Sequence, residues 1–201
     1  MINRSRRNAR WGLFALAITM VLALGLLALS DSLGELGAAD SSDESSASTS
    51  AGSILERPDD AFAMTVEYVT DGDTIKARAN HSNEVITSAA PISVRLIGID
   101  TPELRPEPEC WSEEATEHLS ALLPEGSIVW AAPDQEWYDH YDRALMYLWT
   151  ESGDFINYEL MAAGDARSLV VQPNDRYAEL FALTEAQARA TDSGQWGECE
   201  F

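Results

Sequence analysis

The stretch from Ser30 to Ser53 limits what this chain can fold into. It is mostly Ser, Ala, Gly, Asp and Glu, with Leu33 and Leu36 as its only large apolar side chains. Such a segment buries too little surface to offset the entropy of ordering it, so residues 31–55 read as a flexible tether. What precedes it is different in kind. Arg4, Arg6, Arg7 and Arg10 lead into an almost unbroken apolar run from Trp11 to Leu29. As a helix this run reaches roughly 28 Å, close to the ~30 Å hydrocarbon thickness of a bilayer. A cleavable signal has a shorter apolar core, about 7–15 residues. The length favours an uncleaved anchor over residues 1–30, although Ala28-Leu29-Ser30 offers a small-residue cleavage site. Basic residues ahead of the run orient the remainder outward. The expected location is the extracellular face of the plasma membrane, or secretion. Folding is left to residues 56–201, enough for one domain with a single core.

Charge narrows the function classes. All 34 acidic residues and 9 of the 13 basic ones follow residue 30, so the exported part carries a net charge of −25. Lys76 is its only lysine. Phosphate contacts drive nucleic-acid affinity, so this composition alone argues against DNA or RNA as partner. Adaptation to concentrated salt is a second source of such acidity, because there the Debye length falls to a few ångströms and steering fields vanish. Cys110 and Cys199 both lie in the exported part, where an oxidising compartment favours a disulfide over two buried thiols. Two cysteines with His81, His118 and His140 scattered make no zinc pattern.

Strand signals come first along the domain. Ala61–Val69 alternates, Asp71-Gly72 is a turn, and Thr74–Ala79 returns. Pro91–Ile99 is a third strand, Ser127–Ala132 a fourth and Ala144–Thr150 a fifth. Helical spacing covers Trp111–Leu123, Phe155–Ala163 and Tyr177–Thr191, with Ala166–Val171 extended. The predicted class is α+β with a mostly β core: a small five-stranded barrel with three helices.

Three segments hold the chemistry: Asp71-Gly72-Asp73-Thr74, Val94 to Glu103, and Asp139 to Leu145. Asp73 opens a strand and Asp100 closes another, so two carboxylates and a loop carbonyl make an oxygen-only site for a hard cation such as calcium. Glu103, one turn beyond Asp100, is placed to polarise a water. Arg95 and Arg143 suit phosphate clamping through paired hydrogen bonds. Arg95 lies five residues before Asp100, an odd spacing that puts it on the opposite strand face unless the chain bulges at Gly98. Taken singly, each piece is weak: Asp-Gly is most often only a hairpin turn, and a strand arginine is most often a solvated one.

In this order and at these separations, the segments closely resemble the staphylococcal-type thermonuclease family. Val94-Arg95-Leu96-Ile97-Gly98-Ile99-Asp100-Thr101-Pro102-Glu103 is the most specific motif, and the resemblance runs from about Met64 to Trp196. It implies an oligonucleotide-binding (OB-fold) barrel and a calcium-dependent nuclease that leaves 3′-phosphates on DNA or RNA. In that likeness Asp73, Asp100 and the Thr101 carbonyl hold Ca2+, Glu103 is the general base, and Arg95 and Arg143 stabilise the transition state. Tyr141 matches a tyrosine packed near the nucleotide, and Arg105, just past Glu103, is the remaining substrate-binding cation. The implied partner is nucleic acid as substrate; the apolar run adds the membrane through the N-terminal helix, and a monomer is the expected state. One departure is Asp142, where the motif commonly has glycine; its carboxylate is placed to pair with Arg143 and weaken the clamp. The competing expectations are a non-catalytic barrel kept for binding, and an acidic calcium-binding surface protein.

Overall fold

The structure is a computed structural model that describes residues 55–201. The apolar run and nearly all of the tether lie outside the described residues.

Five strands close into a barrel in the order β1 (Phe62–Asp71), β2 (Thr74–Ala79), β3 (Ile92–Leu96), β6 (Ala144–Thr150) and β5 (Ile128–Ala132), with β5 pairing back onto β1. All neighbours are antiparallel except β3 and β6, which run parallel. Alternate residues point inward, as a strand period of two requires. Met64, Val66, Ile75, Ala77, Val94, Leu96, Val129, Met146 and Leu148 are all buried. The β6 strand is buried on both faces, which explains its unbroken apolar sequence. Its outer face meets an aromatic cluster: Trp149 stacks on Phe155 at 4.6 Å, and Tyr147 meets Tyr177 edge-on at 4.6 Å.

Three helices cover the barrel: α1 (Ser112–Leu122), α2 (Ile156–Ala163) and α3 (Ala178–Ala190). The expected α+β barrel with three helices is thus present. A fourth short helix, α4 (Gln195–Glu198), has no periodic signal in the sequence. It ends at Cys199, whose bridge to Cys110 ties the chain end to the start of α1.

The expected third strand, Pro91–Ile99, is broken. The β3 strand stops at Leu96, and β4 (Gly98–Asp100) leaves the barrel to pair antiparallel with β7 (Arg167–Leu169). Gly98 sits at φ +83°, a left-handed conformation that turns the chain over. Asn157, fully buried on α2, secures the break: its Nδ2 donates to the Ile97 carbonyl and its Oδ1 accepts from Leu148 N–H. A Cβ at Gly98 would stand 2.5 Å from Phe181 Cε2. Gly98→Ala is therefore expected to cost about 2–5 kcal/mol, the sum of left-handed strain and overpacking. Urea melts of the full-length protein check this; a loss under 1 kcal/mol would show that α3 yields freely.

Candidate active site

The bulge at Gly98 resolves the parity of Arg95. With the chain turned over there, Arg95 and Asp100 face the same space. Arg95 Nη1 lies 2.9 Å from Asp73 Oδ2, and Nη2 donates to Asp100 Oδ1 at 3.2 Å. One guanidinium thus bridges the two carboxylates, while Nη1 also donates to its neighbour's Leu96 carbonyl at 2.7 Å.

Asp73 is held tightly. Its side chain is 8 % exposed; Oδ2 accepts from Thr101 N–H at 3.0 Å and Oδ1 from Thr74 Oγ1 at 3.1 Å. Gly72 allows this approach, since a Cβ there would lie 2.7 Å from Thr101 Oγ1. Asp100, at the end of β4, is one-third exposed. Asp73 lies in the turn before β2 and Asp100 ends β4, and the Arg95 guanidinium, on β3, joins them.

Glu103 is exposed just beyond them. Its N–H donates to Glu109 Oε2 at 3.0 Å, and its carbonyl accepts from Glu109 N–H at 2.9 Å, a reciprocal clasp that fixes its backbone. Burial first, then Asp73, Asp71 and Asp100, push the Glu103 carboxyl above the ordinary glutamate range, so Glu103 lies within the field of the aspartates. Burial likewise raises Asp73 and Asp100, and Arg95 only partly offsets it. The cluster is short of positive charge.

That deficit gives a test. A carboxyl whose folded pKa is raised contributes stability when protonated and loses it as pH rises through the folded value. Asp100→Asn is therefore expected to raise the melting temperature at pH 7.5 in chelator, and the gain is expected to shrink toward pH ~4. Equal gains at both pH values would show that ionisation is not the cause.

On the other side, Arg95 and Arg143 share a cavity of about 340 Å³ walled by Ile97, Ile99, Leu145, Leu169 and Val171. Arg143 is positioned by Asp139, whose Oδ1 accepts from the N–H groups of Tyr141 and Arg143 and whose Oδ2 accepts from Arg143 Nε at 2.7 Å. Burial raises Asp139, but these bonds outweigh it and hold its carboxyl below the usual range. Arg143's carboxylate partner is thus Asp139 rather than Asp142. Asp142 instead takes the left-handed turn at φ 59°. Tyr141 is 69 % exposed, with the Arg143 guanidinium 5.6 Å from its ring centre. Arg105 is exposed and makes no hydrogen bond or ion pair among the described residues. Asp139 opens the third segment without a role of its own in the motif, and Glu109 and Arg167 lie outside all three segments. The signal for Asp139 is an Asx-type turn acceptor placed two and four residues ahead of Tyr141 and Arg143.

The donor set fits a hard cation in kind, with two carboxylate oxygens and a neighbouring backbone carbonyl. Among the described residues no group of three His, Cys, Asp or Glu side chains gathers to hold a metal. Any ion here would therefore depend on carbonyl, water or phosphate oxygens for its remaining contacts.

A family model described as staphylococcal nuclease homologue matches residues 93–198. The match begins after Asp73, so it is the fold that joins Asp73 to the matched motif. Endonuclease YncB of Bacillus subtilis (strain 168) is 28 % identical over 139 residues, covering 67 % of this chain and 62 % of that protein. The SPbeta prophage-derived endonuclease YokF of the same organism is 27 % identical over 139 residues, covering 67 % of this chain and 44 % of that protein. Thermonuclease of Staphylococcus intermedius is 30 % identical over 138 residues, covering 65 % of this chain and 74 % of that protein. The two Bacillus relatives are thus matched over less than two thirds of their own length.

Proposed function

This chain belongs to the staphylococcal nuclease homologue family, and from that premise we propose that it is a calcium-dependent nuclease cleaving phosphodiester bonds of DNA or RNA. The observation that carries the reading is the single guanidinium of Arg95 bridging Asp73 and Asp100, beside Glu103 and on a cavity shared with Arg143.

Asp73, Asp100 and the Thr101 carbonyl would hold the ion. When bound, calcium would supply positive charge to a phosphate oxygen and offset the crowding of carboxylates. The remaining work falls to this chain's own groups. Glu103, raised in pKa yet exposed, takes a proton from the attacking water as its oxygen bonds to phosphorus. Arg95 and Arg143 donate to the non-bridging oxygens, where charge builds in the transition state. The bond from phosphorus to the 5′ oxygen breaks, that oxygen takes a proton from solvent, Glu103 returns its own to solvent, and the phosphate stays on the 3′ side. Tyr141, beside Arg143, is placed to pack against the nucleotide, and Arg105 to approach the strand beyond Glu103.

Export is part of the proposal. It rests on the arginines before the Trp11–Leu29 run and on the Cys110–Cys199 bridge, which suits an oxidising compartment. The test incubates the full-length protein with single-stranded DNA and RNA, in calcium and in chelator. Cleavage that stops on chelation supports the reading. Binding without cleavage under either condition would sink it.

A further inference from the structure

The motifs supply two arginines to the site, and the fold adds a third. Arg167 opens β7, whose register sets it directly across from Asp100 on β4. Its Nη2 lies 3.6 Å from Asp100 Oδ2, the oxygen that Arg95 leaves free. That separation exceeds a hydrogen bond, so the guanidinium is drawn to the carboxylate without being locked to it. Its side chain is 43 % exposed, and its guanidinium donates no hydrogen bond among the described residues. Of the domain's other cations, Arg105 is exposed beyond Glu103 without a hydrogen bond or ion pair among the described residues, while four arginines are engaged elsewhere. Arg78 pairs with Glu67, Arg176 with Asp134, and Arg189 with Glu185; Arg57 lies over the Trp130 ring.

The strand gives this arginine a direction. Two and four residues on, Leu169 and Val171 wall the cavity that Arg95 and Arg143 share. One extended segment therefore carries a weakly held cation beside the carboxylates and an apolar wall beside the clamp. A polynucleotide laid along it meets charge and then apolar surface, in the alternation of its own phosphates and bases.

We propose that Arg167 is a substrate-binding residue that holds the phosphodiester next to the one that is cut. The inference rests on the nuclease reading above and extends its footprint by one nucleotide. In so acidic a domain a third guanidinium matters, because little other positive charge is available to hold the strand.

The test uses the full-length protein carrying Glu103→Gln, so that binding is read without cleavage, in calcium with a labelled single-stranded oligonucleotide. Adding Arg167→Gln is expected to weaken binding about 5–10-fold at low salt and to flatten the slope of log affinity against log salt by about 0.7, one phosphate contact on a single strand. Arg167→Lys is expected to restore most of the slope. A neutral methylphosphonate at the linkage flanking the cut site is expected to cost the Glu103→Gln protein the same factor, and to cost the Arg167→Gln variant nothing further. Unchanged affinity and slope, with only tighter calcium binding, would overturn the proposal and leave Arg167 as a neutraliser of Asp100. If the unmutated protein neither binds nor cuts the oligonucleotide, the nuclease reading itself fails and takes this inference with it.

Discussion

Glu103→Gln is expected to lower kcat by about 10²–10⁴-fold, the usual contribution of a positioned general base. The substitution is nearly isosteric and touches little else. The Glu103 side chain is exposed, and its clasp to Glu109 runs through the backbone, so the loop keeps its shape. What changes is that an amide cannot accept the proton from attacking water. Calcium and oligonucleotide binding are expected to hold or tighten, since one negative charge leaves a cluster already crowded with Asp71, Asp73 and Asp100. Single-turnover cleavage together with separate binding isotherms checks both halves. Cleavage at the parent rate would remove Glu103 from the reaction and leave the arginines and the ion to account for catalysis.

The second large effect concerns stability. Cys110 and Cys199 are 89 residues apart in sequence, and their bridge closes most of the domain into one loop. In the loop-entropy account, a closure of that length restricts the unfolded chain by about 4–5 kcal/mol. Replacing both cysteines with serine is expected to lower the melting temperature by on the order of 10–15 °C for a domain of this size. The loss begins at a sensitive place. Cys110 directly follows Glu109, so the bridge anchors the loop whose other end carries Glu103. Identical melting curves with and without reductant would show that α4 and the aromatic contacts hold the tail unaided.

The barrel was legible because its strands obey a period of two and its turns use Asp-Gly and Gly-containing breaks. The long apolar run of β6 was equally plain, since both of its faces are covered. The break in the third strand was not. Ile97 and Ile99 suit a strand; Gly98 marked where a bulge could fall, but nothing local states that the chain leaves the barrel there or that Asn157, sixty residues on, holds it. That hidden turn is why an odd spacing set Arg95 against Asp100 on paper while the fold sets them together. Asp73, Asp100, Arg95 and Arg143 stood out as candidates because they sit at turn or strand positions within the three chemically rich segments. Arg167 was not, because its place depends on the β4–β7 register, which appears only after the third strand leaves the barrel. The concern over Asp142 was misdirected for a similar reason. Its backbone takes the turn, and the carboxylate that reaches Arg143 is Asp139, one helical turn's distance earlier in sequence.

The parallel pairing of β3 with β6 divides the site by distance along the chain. Both aspartates, Arg95 and Glu103 fall within residues 73 to 103; the β2–β3 hairpin sets Thr74, next to Asp73, opposite Arg95, and the turn at Gly98 hands Asp100 to the β4–β7 pair. Arg143 belongs to a different part of the chain and arrives only when β6 docks beside β3 after α1 and β5 have intervened. Closing that longer loop carries the larger entropic toll. Asp73 and Arg95 are therefore set together by one local hairpin, whereas Asp100 depends on β4 pairing with the distant β7 and the second guanidinium on the barrel having shut.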